Sequence, residues 1–80
     1  MQLPVIRSIV EQFSLEQLTA AENALLEGEA LAITIPGADE GEQLTHVLAA
    51  IWIKQHMAET GADAALATRT YAQRVRNSIS

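Results

Sequence analysis

The stretch "EALAITIPGADEGEQLTHVLAAIWI", Glu29 to Ile53, decides the fold. Its first part alternates: Leu31, Ile33 and Ile35 fall on one face and Ala30, Ala32 and Thr34 on the other, the period of a half-buried strand, and Pro36-Gly37 ends it as a turn. From Asp39 the period becomes helical. Leu44, Val47, Leu48, Ile51, Trp52, Ile53 and Met57 cover more than one stripe, so a helix running to Thr60 and stopped by Gly61 is expected to be buried on most sides. No second run in the chain alternates, while the N–H and C=O groups of a strand over residues 30–35 need partners. The same strand of another subunit, antiparallel across a two-fold axis, would supply them. The expected interface is Leu31, Ile33, Ile35 and Trp52.

Outward from this stretch the pattern is helical on both sides. "LPVIRSIVEQF" sets Val5, Ile6, Ile9, Val10 and Phe13 on one stripe, with Pro4 in the first turn, where a missing N–H does no harm. Ser14 and Gln17 stand in capping-box relation, and a second helix follows from Leu15, carrying Leu15, Leu18, Ala21, Leu25 and Leu26 inward to a stop at Gly28. After Gly61, Asp63 caps a last helix from Ala64 to about Ser78, with Ala64, Ala67, Tyr71, Val75 and Ile79 as its apolar line. No linker, repeat or low-complexity tract interrupts this order. The expected fold is a single compact domain over residues 1–80, mainly α, with about four helices and one short β-strand at 30–35.

Composition narrows the classes. An 80-residue chain that is 49% hydrophobic and 19% charged has more apolar material than so small an interior readily takes up, which favours association with another subunit. There is no cysteine, so neither a disulfide nor a thiolate metal site supplements the core. The start of the chain has no basic leader or cleavage pattern, and the longest apolar run, Val47 to Ile53, falls short of the roughly 18 residues a membrane span requires. No membrane association and a cytoplasmic location are expected. A net charge of −5 repels phosphate backbones, so nucleic acid is an unfavoured partner, with Arg69, Arg74 and Arg76 of the last helix the one local exception.

Chemistry is suggested only where the apolar helix begins. Asp39 and Glu42 are spaced as a helix start, with Glu40 a solvated first-turn acid, and first-turn carboxylates are favoured by the helix dipole. Glu42 and His46, one turn apart, could offer an oxygen and an imidazole nitrogen to a divalent metal, but two ligands do not make a site, and a second chain or the last helix would have to complete it; the alternative is a partly buried His46 hydrogen-bonded to a carboxylate or a backbone carbonyl. His56, ten positions beyond His46, cannot do so within one helix, and with Glu59 it reads as a solvated pair. Ser8, Ser14, Ser78 and Ser80 have no nucleophile-elbow context, and no phosphate-loop glycine pattern occurs. No catalytic residue and no cofactor are expected, and Trp52 and Tyr71 read as core or interface anchors.

"LPVIRSIVEQ", "DEGEQLTHVLAAIWI" and "YAQRVRNSIS" together resemble a family of small stand-alone bacterial proteins of unknown function. The resemblance implies a bacterial setting and transfers no activity, cofactor or site residue. The expectation that follows is a homo-oligomeric scaffold or protein-interaction module without catalytic activity, with an unidentified protein as a further partner. The alternatives are a metal-dependent enzyme or metal carrier using Glu42 and His46 across a subunit interface, and nucleic-acid binding through the arginine-bearing last helix.

Overall fold

The computed structural model describes residues 2–79, the last by its backbone alone, so the place of the Ile79 side chain in the apolar line lies outside the described residues. Four helices form: α1 (Leu3–Gln12), α2 (Leu15–Glu27), α3 (Glu40–Thr60) and α4 (Ala64–Ile79). Their ends lie where local chemistry places them. The Ser14 hydroxyl accepts the Gln17 N–H at 3.1 Å, and the Gln17 side-chain oxygen accepts the Ser14 N–H at 2.9 Å, a complete capping box that reverses the chain between α1 and α2. Gly28 ends α2 at φ 72, with the Glu29 N–H returning to the Ala24 carbonyl at 2.8 Å. Asp39 caps α3 by accepting the Glu42 N–H, and Asp63 caps α4 by accepting the Leu66 N–H, each at 2.8 Å.

The long helix α3 is the centre of the fold. It packs against α1, α2 and α4; α1 also packs against α4, whereas among the described residues α2 packs against α3 alone. The core is a single cluster in which Ile6, Ile9 and Val10 of α1, Leu18 and Ala21 of α2 and Ala67 of α4 close around Val47, Ala49, Ala50 and Ile53 of α3. One long-range polar contact ties two helices together: the Lys54 ammonium on α3 donates to the Val10 carbonyl at 2.9 Å. That carbonyl is one of the four at the end of α1 that have no partner within the helix, and the cation sits at the negative end of the helix dipole. Lys54→Met keeps the aliphatic stem and removes the donor, and is expected to cost about 1–2 kcal/mol in urea unfolding, the range for a half-buried charged hydrogen bond.

No strand forms among the described residues, which corrects the expectation for 30–35. The segment between α2 and α3 is instead an extended strap with a bend at Ala32 and Ile33. Burial along it alternates as the sequence does: Ile35 is buried and Leu31 and Ile33 are half-buried against the core, while Ala30, Ala32, Thr34 and Pro36 are exposed. The backbone of residues 30–34 makes no hydrogen bond among the described residues. Alternation specifies an extended chain with one apolar face, but a strand also needs a ladder of hydrogen bonds, and helices covering that face cannot supply one. Cover for Leu31, Ile33 and Ile35 therefore comes from within the chain.

Candidate functional site

The residues singled out for metal chemistry hold the strap in place. Glu42, Gln43 and His46 project from the first turns of α3 onto its last residues. The Glu42 carboxylate accepts the Ala38 N–H at 3.2 Å, the Gln43 amide donates to the Ile35 carbonyl at 3.2 Å, and His46 Nδ1 lies 2.8 Å from the Pro36 carbonyl. A carbonyl only accepts, so Nδ1 carries the proton of that bond. The ring is buried to 1% exposure, and its Nε2 is enclosed without a partner. Helix spacing does place Glu42 and His46 one turn apart, but one is an exposed cap and the other a core side chain. Among the described residues no three His, Cys, Asp or Glu side chains are grouped to hold a metal ion.

The helix start at Asp39 and Glu42 also departs slightly from a full capping box. Asp39 accepts from Glu42 as a capping box requires, but the Glu42 carboxylate returns to the N–H of Ala38 instead of that of Asp39. The bond therefore secures the strap as well as the helix start. Close approach of the strap to α3 at this point is possible because residue 37 is glycine, whose backbone lies directly over Gln43.

The side of α3 centred on Leu48 is the one the other helices cover least. Leu44 and Leu48 lie one turn apart, followed by Ile51 and Trp52 at the same helical spacing, a stripe whose centre, Leu48, is exposed while Ile51 and Trp52 pack against the edge of the core. Leu48 is 45% exposed and Leu44 stands outside the core cluster, while Ile51 and Trp52 are half-buried at its margins. Trp52 anchors an aromatic group shared with α4. The His56 ring stacks on it at 4.9 Å and 11°, Tyr71 lies at 5.6 Å in a tilted arrangement, and the Arg74 guanidinium carbon sits 5.2 Å from the indole centroid. His56 is thus a stacking partner of Trp52 on the same helix, one turn on.

Charge is divided along the length of α3. The start of α3 carries Asp39, Glu40 and Glu42, all exposed, whereas its second half lies beside Arg74 of α4. The three arginines of α4 do not form one strip. Arg69 and Arg76 are seven residues apart and share a side, but Arg74 is turned about 140° from Arg69 by helix geometry and faces Trp52. A continuous basic surface for a phosphate backbone would need all three on one side. Among the described residues, no helix is long and apolar enough to cross a membrane.

The sequence reading marked Trp52 as an interface anchor but not Leu44 and Leu48. The available signal was the distribution of apolar residues around nearly all of α3, in a fold with helices enough to cover three sides. Compared with known families, residues 1–80 match a Family of unknown function (DUF6952). No curated protein and no solved structure matches the chain.

Proposed function

The chain belongs to that family of unknown function, and since membership transfers no chemistry, we propose from its own surface that it is a self-associating interaction module whose contact face is Leu44, Leu48, Ile51 and Trp52 of α3. The observation that carries this reading is the composition of α3, apolar nearly all round, with Leu48 left 45% exposed and Leu44, Ile51 and Trp52 only half-buried although the other three helices pack against it. A helix of that composition is stable in water when its remaining side is covered. A second copy fits this face. Crossing two α3 helices antiparallel at Leu48 brings Leu44 of each opposite Trp52 of the other, each being four residues from the crossing point. The same crossing sets the acidic start of one α3 beside the Arg74-bearing half of its partner, a self-complementary charge pattern on a chain of net charge −5.

Leu48→Glu tests the reading at its centre. A two-fold axis at this position would oppose two buried carboxylates, and dimerisation is expected to weaken by roughly a hundredfold or more. Light scattering coupled to size exclusion at micromolar concentration should give the mass of two chains for the wild type and of one for Leu48→Glu, with unchanged helical circular dichroism. A monomeric wild type, or a Leu48→Glu protein that remains dimeric, would defeat the proposal.

A further inference from the structure

The threonines within the helices contain one exception. Thr19, Thr45, Thr60 and Thr70 each donate a hydroxyl proton to the carbonyl four residues earlier, at 2.8 to 3.0 Å. Thr68 makes no such bond. It is only 6% exposed, and its Oγ1 is enclosed without a hydrogen-bond partner, although an unpaired buried hydroxyl is unfavourable and uncommon. Thr68 lines an open groove of about 900 Å3 where α1 and α4 meet, a size within the usual range of ligand sites.

The rest of the groove has a consistent chemistry. Leu3, Pro4 and Ala65 supply apolar walls, and Arg7 and Arg69 bring two guanidinium groups. Arg7 is engaged, donating through Nε to Glu11 at 3.0 Å, but Arg69 and the Ser8 hydroxyl have no partner among the described residues. Two guanidiniums and one carboxylate give the groove a charge of +1 on a chain of net charge −5. A singly charged head group matches that balance, whereas a phosphate dianion would meet repulsion from Glu11.

We propose that this groove binds a small carboxylate with an apolar body, of which a medium-chain aliphatic acid is the simplest example. The carboxylate accepts from the Arg69 guanidinium and the Ser8 hydroxyl, charge-assisted on the arginine side. The hydrocarbon lies along Leu3, Pro4 and Ala65. Rotation about the Cα–Cβ bond of Thr68 turns its hydroxyl from the enclosed position into the groove as a further donor. The site lies on α1 and α4 and not on the open face of α3, so it stands or falls separately from self-association.

Titration of the 15N-labelled chain with sodium octanoate, followed by amide shifts, provides the test, with octanol and inorganic phosphate as separate arms. Saturable shifts confined to residues 3–12 and 64–70 are expected with octanoate, and at least roughly tenfold weaker responses with octanol and with phosphate, each of which lacks half of the recognised chemistry. Arg69→Gln, at an exposed position, is expected to weaken octanoate by about tenfold with the spectrum otherwise retained. Thr68→Val separates ligand recognition from packing: removing an unpaired hydroxyl at constant shape should raise the melting temperature while weakening octanoate several-fold, whereas a purely structural role would change the first and not the second. The proposal is overturned by absence of octanoate binding, by shifts centred on the α3 stripe, by phosphate binding as well as octanoate, or by affinity unchanged in both variants.

Discussion

Ile53→Ala is expected to lower stability by about 3–5 kcal/mol, the upper part of the range for truncating a fully buried isoleucine. Ile53 has 0% exposure and sits on α3, the helix that every other helix contacts, so neighbours on several sides would have to move together to fill the space left behind. A chain of 80 residues has roughly 4–12 kcal/mol of total stability, and the loss would therefore take much of it. Thermal unfolding followed by circular dichroism should show a midpoint lowered by about 12 °C or more, at the roughly 4–8 °C per kcal/mol typical of domains this size. Ile53→Val, which removes one methylene, should cost about 0.5–1.5 kcal/mol in the same experiment. A loss below about 1 kcal/mol for the alanine variant would show that the core is not organised around this position.

Gly37→Ala is expected to cost about 2–4 kcal/mol for a different reason, the combination of backbone strain and overpacking. Residue 37 has φ 157, and a Cβ there would stand 2.7 Å from Cγ of Gln43, 2.8 Å from its backbone nitrogen and 3.1 Å from its Cα. The side-chain atom could move, but the nitrogen cannot yield easily, because its N–H is bonded to the Asp39 carbonyl at 3.0 Å in the first turn of α3. The strap must therefore lift, and the bonds that Glu42, Gln43 and His46 make to it lengthen or break. Gly28→Ala is the comparison: it has φ 72 but nothing within 4 Å of the added Cβ, so only the conformational cost of about 1 kcal/mol applies. Urea unfolding of the two variants separates the effects. Hydrogen exchange adds the location, with protection expected to fall first at Glu42 and Gln43 in Gly37→Ala. Equal costs at the two glycines would contradict a tightly seated strap.

These experiments bear on parts of the molecule that were unequally legible in the sequence. Ser14 with Gln17, Gly28, Asp39, Gly61 and Asp63 marked the helix ends, and the helices begin and end at or beside them. Caps and stops act within one turn of chain, so a short sequence window contains all the groups involved. The candidate pair Glu42 and His46 was legible as neighbours on a helix face, and a buried His46 bonded to a carboxylate or carbonyl was among the expectations, but the partner group was not legible. What they bind, the Ala38 N–H and the Pro36 carbonyl, depends on the path of the strap, which no local rule specifies. Arg7, Ser8 and Thr68 were not legible as a group at all, since they come from helices at opposite ends of the chain.

By itself, then, the sequence determined four helices, their boundaries, most of the stripe each would bury and the alternating apolar face of residues 30–35; Leu15 and Leu26, expected to face inward from α2, are exposed because α3 is the only helix that packs on α2 among the described residues. These depend on capping, on backbone conformation and on the 3.6- and two-residue periods, all of them short-range properties. Tertiary structure alone decided what that alternating face meets. An extended segment is satisfied on its apolar side by any apolar surface, and here α3 and its neighbours provided one, leaving no call for a ladder. It also decided which side of α3 would stay open. Leu44, Leu48, Ile51 and Trp52 look as apolar in sequence as the buried Val47 and Ile53, and only the placement of three helices around α3 leaves Leu48 exposed and the other three half-buried.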